Sequence, residues 1–140
     1  MTDHVAPSVR SRMMSMVRGR DTQPERRVRC ALHQAGFRFR LHRVDLPGRP
    51  DIVLPKFRTV VLVHGCFWHG HDCPRGRRPT SNVDFWNKKL DSNMERDRRN
   101  KAALAAAGWH VFVVWECSIE TEIRRLIRYL DHAIKRGAMR

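Results

Sequence analysis

The sequence predicts an α/β fold, a single domain with a central mixed sheet flanked by helices and one long irregular loop. Three observations predict it. The apolar pattern reads helix, three strands, helix, strand, helix along the chain. The lone strand near 109–115 then joins the sheet by a crossover through the helix before it. The stretch 64–82 is rich in His, Cys, Gly, Pro and Arg and keeps neither a helix nor a strand period. A chain of 140 residues suffices for one domain with one core.

Each element has a local reason. Residues 1–20 are basic and irregular, with Arg10, Arg12, Arg18 and Arg20 interleaved with Met13, Met14, Met16 and Val17. They read as an arm that orders on binding, or as a frayed terminus, and 21–140 reads as the folded domain. Thr22 and Glu25 are spaced as a capping box, and Pro24 suits a first helical turn. Val28, Ala31, Leu32 and Ala35 make one apolar stripe, and Gly36 is placed to end the helix. Cys30, beside Ala31, reads as a small core residue. Phe37, Phe39 and Leu41 alternate with Arg38 and Arg40, a half-buried strand. LPGRPD at 46–51 is a turn. A second strand follows at 51–54 and a third, more deeply buried, at 59–63. From about Val83 to Ala107 the pattern is helical and heavily charged, and Gly108 stops it. Ser118 can cap a last helix, with Ile119, Ile123, Leu126, Leu130 and Ile134 along one face.

Charge narrows the function. Lys and Arg number 28 against 14 Asp and Glu, a formal net charge of +14. That surplus implies a polyanionic partner, nucleic acid by default, over a basic surface that binds nothing specific. Arg greatly outnumbers Lys, which favours forked phosphate contacts. No apolar run approaches membrane-spanning length, and MTDHVAPSVRSR has no apolar stretch of export-signal type, so a soluble, intracellular chain is expected.

The four cysteines are Cys30, Cys66, Cys73 and Cys117. Without an export signal, a metal site is the better reading than disulfides. GCFWHGHDC at 65–73 packs Cys66, His69, His71 and Cys73 together. Zinc takes thiolate sulfur and imidazole nitrogen in a tetrahedron. Cys66, His71 and Cys73 can supply three ligands, and Cys117, just past the 109–115 strand, the fourth. Such a site has no open position and is structural. On spacing alone His64 and His69 are rival ligands. Asp51, at a strand start after a Gly-Pro turn, is well placed to hold Mg2+, although a lone Asp there is more often a turn residue.

RPD before a buried strand resembles the first half of the PD-(D/E)XK nuclease signature. More closely, RDTQPE at 20–25, LPGRPD at 46–51, VHGCFWHGHDC at 63–73, FWNKKLDSNMERDRRN at 85–100 and GWHVFVVWEC at 108–117 together resemble the very-short-patch mismatch-repair endonucleases, the Vsr family. The resemblance runs from about Arg10 to Cys117. It implies a restriction-endonuclease-like core, a bacterial cytoplasmic and nucleoid setting, and a Mg2+-dependent nick 5′ of the mispaired T in a T:G mismatch left by 5-methylcytosine deamination. Asp51 matches the metal-binding carboxylate, and Val63 the position that coordinates through its backbone carbonyl. His69 matches the proposed general base, His64 its supporting histidine, and Glu25 an acidic residue near the metal waters. Cys66, His71, Cys73 and Cys117 match the zinc ligands. The third strand carries no second acidic residue and no Lys, so the His pair must replace the usual two-carboxylate site.

Phe67 and Trp68, flanked by metal ligands, read as exposed, while Phe85 reads as core. The resemblance assigns an aromatic wedge to Phe67, Trp68 and Trp86, and minor-groove insertion to Met14. A mismatch is already weakly paired, so opening it costs less. Arg12 and Arg18 in the arm, and Arg96, Arg98 and Arg99 with Lys88 and Lys89 on the charged helix, read as phosphate contacts; the bland alternative for the helix is a solvated face with ion pairs to Asp91 and Glu95. A monomer is implied, and no repair-pathway partner can be named. Two other readings stay open: a zinc-stabilised DNA-binding module without catalysis, and a family nickase with a different mismatch context.

Overall fold

A computed structural model describes residues 22–136. The predicted arm at 1–20, with Arg12, Met14 and Arg18, lies outside the described residues. The elements are α1 (Gln23–Gln34), β1 (Arg40–Leu41), β2 (Ile52–Leu54), β3 (Thr59–His64), α2 (Val83–Ala106), β4 (His110–Trp115) and α3 (Ile119–Lys135), with single 3-10 turns at Pro55–Phe57, Pro74–Gly76 and Glu116–Ser118. The element order is the predicted one.

The sheet runs β1-β2-β3-β4. β1 with β2 and β2 with β3 are antiparallel, and β3 with β4 is parallel. A parallel pair needs a long crossover, and α2 supplies it. Strand alternation divides the core in two. Ile52, Leu54, Val61 and Val114 face α1 and α3 and meet Val28, Leu32, Ile123, Leu126 and Leu130. Val53 and Val60 face the opposite way and meet Leu104 and Trp109 around the end of α2. Burying one such Leu or Val contributes about 1.5–3 kcal/mol. Covered on both faces, β3 buries every residue except Val63, which is half-buried.

Thr22 caps α1, its Oγ1 accepting the Glu25 N–H at 3.3 Å. Gly108 at φ +90° ends the crossover helix in a conformation that suits glycine.

Four expectations are corrected. The strand expected from 37 is only Arg40–Leu41, both exposed; Phe37 instead turns into the core against Phe57, ring centroids 5.7 Å apart. Cys30 is exposed, because the α1 stripe turns through Val28, Ala31 and Leu32 and leaves it, like Ala35, outside. Ser118 makes no side-chain capping bond to α3. At the far end of that helix Ala133 is buried and Ile134 is 46% exposed, since the true stripe steps from Leu130 to 133.

This topology gathers one end of the sheet. β3 and the parallel β4 end at His64 and Trp115, which are register partners. β2, antiparallel to β3, begins just after Asp51 at the same end. The carboxyl ends of parallel strands are where open α/β sheets bind ligands.

Candidate functional site

An open cleft of about 940 Å³ lies at this end, and Asp51, Val63, His64, Phe67, His69 and Asp97 are among its walls. Asp51 is fixed by the strand beside it: Val63 N–H donates to Asp51 Oδ2 at 2.9 Å. The PGRP turn leads the chain to it. Gly48 there takes φ +73°, and a Cβ on it would come within 2.8 Å of the Asn100 side chain on α2. Burial pushes the Asp51 carboxyl up to about 7; the Val63 N–H pulls it down, and the neighbouring Glu25 pushes it further up. Glu25, in the first turn of α1, is 2% exposed. Its Oε2 lies 3.2 Å from His42 Nε2. Glu25, His42 and Asp51 each offer an atom within 4.8 Å of the others. His42 was not singled out by sequence; it follows an unremarkable RFRL run.

Across the cleft, the His64 and His69 rings stack with centroids 3.8 Å apart and planes 1° from parallel. His69 Nδ1 lies 2.5 Å from Asp97 Oδ2 on α2. Burial raises the Asp97 carboxyl, but the His69 hydrogen bond, with nearby positive charge that includes Arg96, outweighs it and holds it below its ordinary value. An ionised Asp97 can only accept, so Nδ1 is the ring nitrogen that donates to it and Nε2 is the one turned away. His64 is 4% exposed and its Nδ1 has no hydrogen-bond partner. Burial first, then neighbouring positive charge, pushes it down to about 3, so it is neutral. Asp97 was hidden in sequence inside the basic ERDRR block. The signal was its register: Leu90, Asn93, Asp97, Asn100 and Leu104 share one face of α2, with polar residues at core positions.

The second centre is soft. Cys66, His71, Cys73 and Cys117 place their ligand atoms within 4.8 Å of one another. Cys117 Sγ lies 3.5 Å from His71 Nδ1. All four cysteines of the chain are free thiols. Burial pushes the Cys66 thiol up to about 12. Cys73 goes down to about 7: burial would raise it, but hydrogen bonds from His71 and Cys66 outweigh that. His64 and His69, rival ligands on spacing alone, group instead with Asp97. Trp115 links the centres. It stacks on His71 at 4.0 Å and meets His64 edge-on at 5.1 Å.

The aromatic residues divide differently from expectation. Phe67 and Trp68 are half-buried on the cleft wall. Trp86 is 5% exposed and packs behind them, centroids 5.4 and 6.0 Å away, so in this state it supports the pair. Phe85, expected in the core, is 60% exposed; α2 can bury only one of two consecutive aromatics, and it turns Trp86 inward. Asn93 Nδ2 donates to the Trp68 carbonyl at 3.1 Å. Arg96 reaches the cleft and donates to Asn93 Oδ1. Arg98 forks onto Glu95, Arg99 and Lys88 are exposed, and Asp91 pairs with Arg78 from the loop.

Among the described residues no helix is long and apolar enough to cross a membrane. The sequence profile described as DNA mismatch endonuclease Vsr matches residues 2–75. The chain is 55% identical over 119 residues to the type II nicking enzyme V.XorIIP of Xanthomonas oryzae, covering 85% of this chain and 88% of that one. It is 43% identical over 140 residues to the type II nicking enzyme V.NmeAIP of Neisseria meningitidis, covering 96% and 100%. It is 41% identical over 119 residues to the DNA mismatch endonuclease Vsr of Escherichia coli, covering 85% and 76%. With a family match over half of the chain and relatives at 41–55% identity, the chain belongs to the Vsr family of DNA mismatch endonucleases.

Proposed function

We propose that the chain nicks one strand of duplex DNA 5′ of the mispaired T in a T:G mismatch, with Mg2+ as catalytic cofactor, and that it acts as a monomer. The observation that carries this reading is the His69–Asp97 pair standing in the same cleft as the recessed Asp51. His69 Nε2 takes the proton of the attacking water. Asp97 stabilises the imidazolium that forms and fixes the ring's tautomer, as a carboxylate behind a catalytic histidine does. His64, neutral and stacked on His69, holds the plane of the base.

The donor chemistry fits a hard cation. Asp51 and the Val63 carbonyl would hold it, with Glu25 ordering its waters. A carboxyl pushed up to about 7 by burial is one that a cation stabilises. Bound magnesium supplies stabilisation of the negative charge that builds on the phosphate. Cys66, His71, Cys73 and Cys117 would hold a structural zinc, since three thiols and an imidazole around one point leave no open position. Phe67 and Trp68 form the wedge, backed by Trp86. Met14, Arg12 and Arg18 act from an arm at 1–20 ahead of the endonuclease domain, and Arg96, Arg98 and Arg99 meet phosphates.

Duplexes carrying each mismatch in varied flanking sequence test the reading. Nicking with Mg2+ is expected 5′ of T at T:G and weak elsewhere. Tight binding without nicking under any divalent cation would replace it with a non-catalytic DNA-binding module. A second reading keeps the chemistry and changes the flanking sequence; the 55% identity to a type II nicking enzyme favours it, against 41% to the Escherichia coli protein.

A further inference from the structure

Beside Glu25 and Asp51, both on the cleft wall, stands a histidine to which the proposed reaction gives no role. His42 follows β1, whose last residue Leu41 pairs with Ile52. One step further along the antiparallel ladder stands Asp51, and the His42 N–H donates to the Asp51 carbonyl at 3.2 Å. There His42 adopts φ +49°, a left-handed conformation uncommon outside glycine. Its Nε2 lies 3.2 Å from Glu25 Oε2, in a side chain only 14% exposed. The Glu25, His42 and Asp51 donor atoms all lie within 4.8 Å of one another. Arg29 approaches Glu25 Oε2 at 3.6 Å from the same helix, so charge already converges on that carboxylate.

We propose that His42 is a ligand of the catalytic cation, which makes the centre a mixed oxygen and nitrogen site, with the His42 imidazole beside Asp51 and Glu25 on the waters, selective for a Mn2+-type dication over Mg2+. The proposal rests on the placement of the cation at Asp51. The chemistry follows from the donor set. Magnesium prefers oxygen and keeps its waters, so an imidazole adds little to its binding. First-row dications accept nitrogen more readily, and affinity at sites containing it rises along the series from Mn2+. Asp51 and Glu25 supply the charge that holds either ion, and His42 supplies the discrimination between them. A nuclease of this kind then works with Mg2+ when it is abundant and binds Mn2+ at far lower concentration.

The test uses the full-length protein as purified, without DNA, and Mn2+ as the probe. Mn2+ binding is read from the loss of the free-ion paramagnetic signal, and the ligand set from the electron spin echo, which a coordinated imidazole nitrogen modulates. Nitrogen modulation is expected in the parent protein and lost in His42→Gln, whose Mn2+ affinity falls by about tenfold or more while Mg2+ competes as well as before. Bound Mn2+ without nitrogen modulation in the parent overturns the proposal before any variant is made. Modulation that persists in His42→Gln also overturns it, because another histidine is then the ligand. Asp51→Asn separates the two levels. If it binds Mn2+ as tightly as the parent, the placement of the cation at Asp51 fails; if it loses Mn2+ while His42→Gln does not, only the role of His42 fails.

Discussion

Oδ2 of Asp97 lies 2.5 Å from Nδ1 of His69, across 28 residues of chain. A residue from the middle of the crossover helix thereby sets the protonation pattern of a side chain in the loop after β3. The consequence is testable. Asp97→Asn keeps the size but lets the amide donate, so the ring can adopt the wrong tautomer. Single-turnover nicking should fall by about 10²-fold or more, while binding of mismatched duplex is retained. Nicking at the parent rate would remove His69 as the base.

The metal-free protein should show two opposing pH dependences. Asp51 folds with its carboxyl raised from 3.8 to about 7, so between those values the folded state binds more protons and stability falls as pH rises. His64 folds with its imidazole lowered from 6.5 to about 3, so there the unfolded state binds more protons and stability rises with pH. Each group can contribute a slope of up to about 1.4 kcal/mol per pH unit. Urea unfolding of Asp51→Asn between pH 4.5 and 6.5 should therefore show stability climbing more steeply with pH than in the parent. A flatter climb would mean that Asp51 is not held protonated.

Zinc has its own test. Metal analysis should find about one zinc per chain. Cys117→Ser should lower both zinc retention and melting temperature. It should also reduce nicking, because the same loop carries Phe67, Trp68 and His69. Full zinc retention in that variant would overturn the ligand set.

Gly48 and Asn100 make a steric pair. Gly48→Ala places a methyl group within 2.8 Å of the Asn100 side chain at φ +73°. A loss of roughly 1–3 kcal/mol is expected. Adding Asn100→Ala should recover the part due to crowding and leave the part due to φ. No recovery would mean that the strain is wholly in the backbone.

The fold was legible where the physics is local. Thr22, Gly108 and the Ile123–Leu126–Leu130 stripe follow from capping, turn and periodicity rules that hold within a few residues. The thiol cluster was legible because soft ligands rarely crowd a sequence by accident. Asp97 and His42 were not legible. Each meets its partners only in the fold, Asp97 at His69 and His42 at Glu25 and Asp51, and each sits in a sequence that reads as solvated surface or strand. Cys30 and Phe85 misled for a related reason: a helix stripe is about 100° wide, and a shift of one residue moves a side chain from core to water.

Asp51 and His69 line one cleft, and the proposed reaction has them face one phosphate there. The most direct measurement is Mg2+-dependent cutting of a T:G duplex by Asp51→Ala, with binding measured in parallel. Cutting is expected to fall below detection while the duplex is still bound; cutting at the parent rate would rule out Asp51 as the residue that holds the cation.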